Sequence, residues 1–152
     1  MTPRFAADRT LGKLVKWLRI LGFDTICKLE ISIKLFFDSL EGNRILLTRT
    51  KKIQKKFNTH RTVFIRSNFI DEQLKQVVDE IGINPAEIRP FSRCIQCNLP
   101  IIEISKDDAC GLVPDYIWET QEIFNKCSQC ERIYWRGSHA ERSMERVNQL
   151  FS

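Results

Sequence analysis

The sequence predicts an α/β fold: a parallel sheet flanked by helices over residues 1–90, followed by a small zinc ribbon with a closing helix over 91–152. Two observations carry this. Short apolar runs of strand type alternate four times with helical patterns through the first segment, and strands separated by helices pair in parallel with helices on both faces. Then come two Cys-x-x-Cys pairs, Cys94/Cys97 and Cys127/Cys130, which claim four of the six cysteines. Two residues between each pair let one tight knuckle present both sulfurs to one ion, and four thiolates complete a tetrahedral Zn²⁺ site. The 29 residues between the pairs exceed the commonest spacing, so an insertion or extended hairpin is expected there. A length of 152 residues suits one domain with a small appendage.

Element by element, Phe5-Ala6-Ala7 reads as a short strand ending at Asp8. From Thr10, the residues Leu11, Leu14, Val15, Leu18 and Leu21 fall at helical spacing, with Lys13, Lys16 and Arg19 on another side and Gly22 closing the helix. Phe23–Cys27 is strand-like, and 31–40 reads as a second helix ended by Gly42-Asn43. Arg44-Ile45-Leu46-Leu47-Thr48 is an apolar run of buried-strand type, followed by a short basic helix over 51–57 and a strand over 62–65. Leu74, Val77, Val78 and Ile81 mark an amphipathic helix stopped by Gly82. Asn84-Pro85 is a cap with a first-position proline, opening a turn through Ile88. Pro90 marks the boundary, and 138–150 is a final helix. Ligands of a parallel layer bind at the carboxyl ends of its strands, where Asp8, Thr48-Arg49-Thr50 and Arg66-Ser67-Asn68 stand.

The net charge of +5 conceals an asymmetry. Residues 1–66 carry 15 Lys/Arg against 5 Asp/Glu, and residues 67–152 carry 9 against 14. Eight cations and no acid lie between Arg44 and Arg66, a stretch that attracts a polyanion, with RNA the expected partner and an idle solvated face the alternative. Met1-Thr2-Pro3-Arg4 shows no apolar signal segment, and nothing approaches the roughly 20 apolar residues of a membrane span. The expectation is a cytoplasmic or other reducing intracellular location and no membrane association. Paired cysteines there bind metal or do redox work in preference to forming disulfides. A thioredoxin-like motif would need one Cys-x-x-Cys opening a helix, not two matched pairs.

Several blocks resemble one known family in order. These are Phe5-Ala6-Ala7-Asp8-x-x-Leu11-Gly12-Lys13-Leu14-x-x-Trp17-Leu18-Arg19-x-Leu21-Gly22-Phe23-Asp24, then Arg44-Ile45-Leu46-Leu47-Thr48-Arg49, then Phe91-Ser92-Arg93-Cys94-x-x-Cys97-Asn98, and Cys127-x-x-Cys130-x-Arg132-Ile133-Tyr134-Trp135-x-Gly137-Ser138-His139. They resemble the Mut-7 C-terminal ribonuclease-like family, which implies a PIN-like fold with a zinc ribbon and a metal-dependent ribonuclease. Clustered carboxylates at the strand ends would then hold Mg²⁺ or Mn²⁺, which activates water and offsets charge on the scissile phosphate. Asp8 matches the first acid of that cluster. Thr50 stands where the family usually has Asp, Ile31-Ser32 where an acid is expected, and Asn68 where an acid is common. Thr and Asn are neutral donors, so the acidic site reads as eroded.

Two readings of Asp8 stay open: metal ligand, or N-cap accepting backbone N–H bonds. Glu30 is a candidate replacement ligand. Asp24, in the Gly-Phe-Asp turn, is a candidate catalytic acid or a structural strand-end residue. Arg49, Lys51, Lys52, Lys55 and Lys56 are the foremost RNA contacts, with Lys13, Lys16 and Arg19 behind them. Trp17 reads as core, Tyr134 and Trp135 as cover for the ribbon, His139 as a helix-start residue and His60 as exposed. Two functions follow: a divalent-metal-dependent ribonuclease, or a catalytically inactive RNA-binding or adaptor module held by structural zinc.

Overall fold

Four short strands build the first layer: β1 (Phe5–Ala7), β2 (Thr25–Cys27), β3 (Ile45–Thr48) and β4 (Thr62–Phe64), all parallel in the order β2-β1-β3-β4. The structure, a computed structural model, describes residues 2–27, 35, 42–56 and 61–152. Apart from Leu35, the expected second helix over 31–40 lies outside the described residues, as do Glu30 and the loop residue His60. β3 is buried along its whole length, which its unbroken apolar run requires in a layer covered on both faces.

A 3₁₀ turn (Arg9–Leu11) leads into α1 (Gly12–Ile20), whose stripe Leu14, Val15 and Leu18 enters the core beside Phe5, Leu47 and Val63. Gly22 then turns the chain at φ +94°, and an added Cβ there would meet the Arg89 carbonyl oxygen at 2.4 Å. Only glycine fits that close approach. α2 (Lys51–Lys56) is the short basic helix. α3 (Ile70–Ile81) buries Leu74, Val77 and Val78 and ends at Gly82 in the left-handed region. Asn84 caps the 3₁₀ turn Pro85–Glu87, and Glu87 reaches back to its backbone N–H to complete a capping box.

The second layer is antiparallel, in the order β5-β6-β7: β5 (Ile102–Ile104), β6 (Phe124–Lys126) and β7 (Ile133–Tyr134). Two helical turns, α4 (Lys106–Ala109) and α5 (Asp115–Thr120), fill the insertion between the cysteine pairs. Ala109, Val113 and Phe124 form a small core there, with Trp118 and Trp135 packed against it. α6 (Ser138–Gln149) then returns to the first layer. Val147 and Leu150 belong to the same core cluster as Phe5 and Leu18, and the Arg146 guanidinium lies 4.8 Å from the centre of the Trp17 ring. No helix among the described residues is long and apolar enough to cross a membrane.

Candidate functional site

The carboxyl edge of the parallel sheet is organised around Asp8, which is 2% exposed. Its extended backbone makes it the N-cap of the turn that opens α1. Oδ1 accepts from the Thr10 backbone N–H at 2.9 Å and from the Thr10 hydroxyl at 2.5 Å. Oδ2 accepts from the Thr48 hydroxyl at 2.5 Å and from the Arg49 N–H at 3.3 Å. Thr48 Oγ1 in turn accepts from the Thr50 N–H at 3.0 Å. An ionised carboxylate has about four acceptor positions, and all four of this one are taken by donors from β3 and the first turn. Asp8 therefore ties the ends of β1 and β3 together.

Around this point the edge is cationic. A cleft of about 300 Å³ opens between the start of α1, the end of β3 and the start of α3, with Lys13 and Arg49 on its wall. Lys13, Lys16, Lys51, Lys52 and Lys55 are exposed, and the Lys56 side chain lies outside the described residues. Arg49 is half-buried and donates to the Ser67 carbonyl at 2.9 Å, bridging the loops after β3 and β4. Two other cations of the basic stretch are already paired: Arg44 with Asp24 at 2.8 Å and Arg66 with Glu80 at 2.8 Å.

Two expected site residues lie elsewhere. Arg19 is 1% exposed, so it is no RNA contact. Its guanidinium donates to the Thr25 carbonyl at 2.8 Å and 3.0 Å, and to the carbonyls of Ile95 and Gln96 at 2.8 Å and 3.3 Å. It latches α1 to β2 and to the first cysteine knuckle. Its spacing of four from buried Val15 was the signal in the sequence. Asp24 precedes β2 and so lies at the amino edge of the sheet, about four extended residues or ~13 Å along the strands from Asp8. It cannot share an ion with Asp8. Arg44 holds it in a two-pronged contact at 2.8 and 3.1 Å, and Asn98 donates to it at 2.7 Å. The acids that the sequence reading passed over at the carboxyl edge are Asp71 and Glu72, exposed on the first turn of α3, with Glu72 accepting from the Ser67 hydroxyl.

The four cysteines do converge. The sulfurs of Cys94, Cys97, Cys127 and Cys130 all lie within 4.8 Å of one another. Zn–S bonds of about 2.3 Å in a tetrahedron set sulfurs ~3.8 Å apart, and Cys94 and Cys130 are at 3.8 Å. Both knuckles share one backbone pattern. Cys94 N–H donates to the Leu99 carbonyl and Asn98 N–H returns to Cys94; Cys127 N–H donates to Arg132 and Glu131 N–H returns to Cys127. Asn98 and Glu131 accordingly have left-handed φ values of 64° and 63°. Burial pushes the Cys94 thiol up, but a hydrogen bond from the Tyr134 hydroxyl and others from the backbone bring it down to about 7. Burial, the neighbouring thiols and the charge on Cys94 push Cys97 up to about 12. A divalent cation resolves that crowding of thiolates. The four cysteines could hold a metal such as zinc.

A parallel α/β layer with a cationic carboxyl edge, joined to a four-cysteine ribbon, is the class of protein these features define. The family model of the Mut7-C RNAse domain matches residues 3–147, and the chain belongs to that family. Its function is therefore ribonuclease-like and related to RNA. No curated protein and no solved structure matches the chain. The Mg²⁺ or Mn²⁺ that the resemblance implies does not fit the donors on view. The cysteine group is the one set of three or more His, Cys, Asp or Glu side chains placed to share an ion among the described residues. Asp8 has no acceptor position to spare.

Proposed function

We propose that this protein is an RNA-binding module of ribonuclease fold, in which residues 1–90 grip the phosphate backbone and residues 91–152 brace the grip through structural zinc. Arg49, Lys51, Lys52, Lys55 and Lys56 make the phosphate contacts, with Lys13 and Lys16 beside them. The zinc, held by Cys94, Cys97, Cys127 and Cys130, has a closed thiolate shell with no position for substrate. Such thiolates persist in a reducing compartment such as the cytoplasm. The reading is carried by the exposed cations gathered at the strand ends, around a carboxylate fully occupied in fastening those ends together. On this reading Asp8 is a fastener, and the module does not cleave.

The second reading is divalent-metal-dependent cleavage of RNA. It is favoured by Asp8 itself, which follows β1 at the position of the family's first acid, with Glu30 as its candidate companion. One experiment separates the two. Purified protein and Asp8→Asn are given labelled single-stranded RNA with Mn²⁺ or Mg²⁺. Salt-sensitive binding without cleavage by either protein supports the module; cleavage that needs the metal and vanishes in Asp8→Asn supports the nuclease. Neutralising Lys51, Lys52 and Lys55 together is expected to weaken binding at least tenfold and to flatten the slope of log affinity against log salt by about 2, near 0.7 for each lost phosphate contact. An unchanged slope would remove α2 from the interface.

A further inference from the structure

Phe69 is an aromatic ring in an unexpected place. It is 71% exposed, outside the stripe of Leu74, Val77 and Val78 by which α3 packs. It also occupies the N-cap of α3 and makes no side-chain cap bond, a position where Ser, Thr, Asp or Asn is strongly preferred. A single exposed hydrophobe is ordinary on any surface. What distinguishes Phe69 is its company. The ring lines the cleft of about 300 Å³ at the carboxyl edge, together with Lys13, Arg49, Asn68 and Gln73. The Asn68 side-chain amide bonds to no protein group among the described residues. The cleft therefore presents an aromatic face, two cations and an uncommitted amide within one nucleotide-sized space.

From this combination we propose that Phe69 is a stacking platform for an unpaired nucleobase, so that single-stranded RNA is the preferred ligand of this edge. The inference rests on the reading of the edge as an RNA grip. An aromatic face accepts any base by stacking, but only a base released from a helix can present its own face, because bases within a duplex are stacked on each other. Arg49 and Lys13 then meet the phosphates on either side of the stacked base, and Asn68 meets its hydrogen-bonding edge. The cations supply affinity for any polyanion, and the ring supplies the preference for unpaired strands.

The test uses the full chain with zinc bound, and two fluorescently labelled probes, an oligouridine and a blunt RNA duplex with the same number of phosphates. Wild type, Phe69→Ala and Phe69→Trp are compared by anisotropy. Because the ring is exposed, both variants are expected to keep the wild-type Tm and zinc content. Phe69→Ala should bind the oligouridine about tenfold more weakly, which is ~1.4 kcal/mol and within the range for one stacked base. Phe69→Trp should bind it at least as well as wild type, and duplex affinity should not move in either variant. Equal oligouridine affinity for wild type and Phe69→Ala would overturn the platform, as would an equal loss on both probes. Binding of neither probe by wild type overturns the RNA grip itself, an outcome distinct from failure of the ring alone.

Discussion

Burial pushes the Asp24 carboxyl up, yet hydrogen bonds from Arg44 and Asn98 and the charges of Arg44 and Arg93 outweigh it and hold the group below its ordinary 3.8. A carboxylate whose folded value is depressed binds fewer protons than the unfolded chain does near pH 4. Its stabilising effect is therefore complete above about pH 4 and is lost as the pH falls through the folded value. The expected outcome is a Tm advantage of wild type over Asp24→Asn that is constant from pH 7 to 5 and shrinks below pH 4. A constant difference down to pH 2 would show that the Arg44 contact does not act through charge. The same residue shows what sequence could and could not reveal. The Gly-Phe-Asp turn was legible as a strand end, but nothing local indicated which edge of the sheet it occupies. That depends on Phe5 pairing with Thr25, a contact across twenty positions. Arg19 was missed for a related reason, since two of its carbonyl partners, Ile95 and Gln96, lie more than seventy residues away.

The two knuckles make a controlled comparison at the scale of the element. The return position of the first is Asn98, a residue that tolerates the left-handed region; that of the second is Glu131, which pays about 1 kcal/mol or more to enter it. Glu131 gains little in return, being 76% exposed and 3.8 Å from Lys126. Glu131→Asn should therefore raise the Tm by about 2 °C, a few tenths of a kcal/mol or slightly more at this chain length, read by thermal unfolding with zinc bound. The reverse exchange at the first knuckle should be harmful, because Asn98 also bonds Asp24 and the Thr25 N–H. Helix boundaries were legible wherever glycine or a cap punctuated them, as at Gly22, Gly82 and Asn84. The helical turns between the cysteine pairs were not, because α4 and α5 are too short for a periodic pattern and bury few residues. Phe69 escaped notice because an aromatic beside a helix start reads as core until its exposure is known.

For the molecule as a whole, zinc is expected to act well beyond the ribbon. Arg19 joins α1 to the knuckle carbonyls, Asn98 holds the first residue of β2, and α6 returns Val147 and Leu150 to the main core. Structural zinc contributes several kcal/mol or more to folding. At about 3 °C for each kcal/mol, stripping it with a strong chelator should lower the Tm by roughly 10 °C or more. Exchange of the Thr25 amide hydrogen, bonded to Asn98 at 2.9 Å, should quicken at the same time. A chelated protein whose sheet amides exchange at the wild-type rate would show that the two layers are energetically separate.

The bonds to Asp8 bear differently on the opposite edge. Four hydrogens, two from backbone amides and two from threonine hydroxyls, surround its carboxylate as a coordination sphere surrounds an ion, with the charge on the inside and the donors around it. Around Asp8 that ring of hydrogens offsets the carboxylate's charge, the electrostatic work that a bound cation does elsewhere. The ends of β1 and β3 are thus fastened by hydrogens that the chain itself supplies.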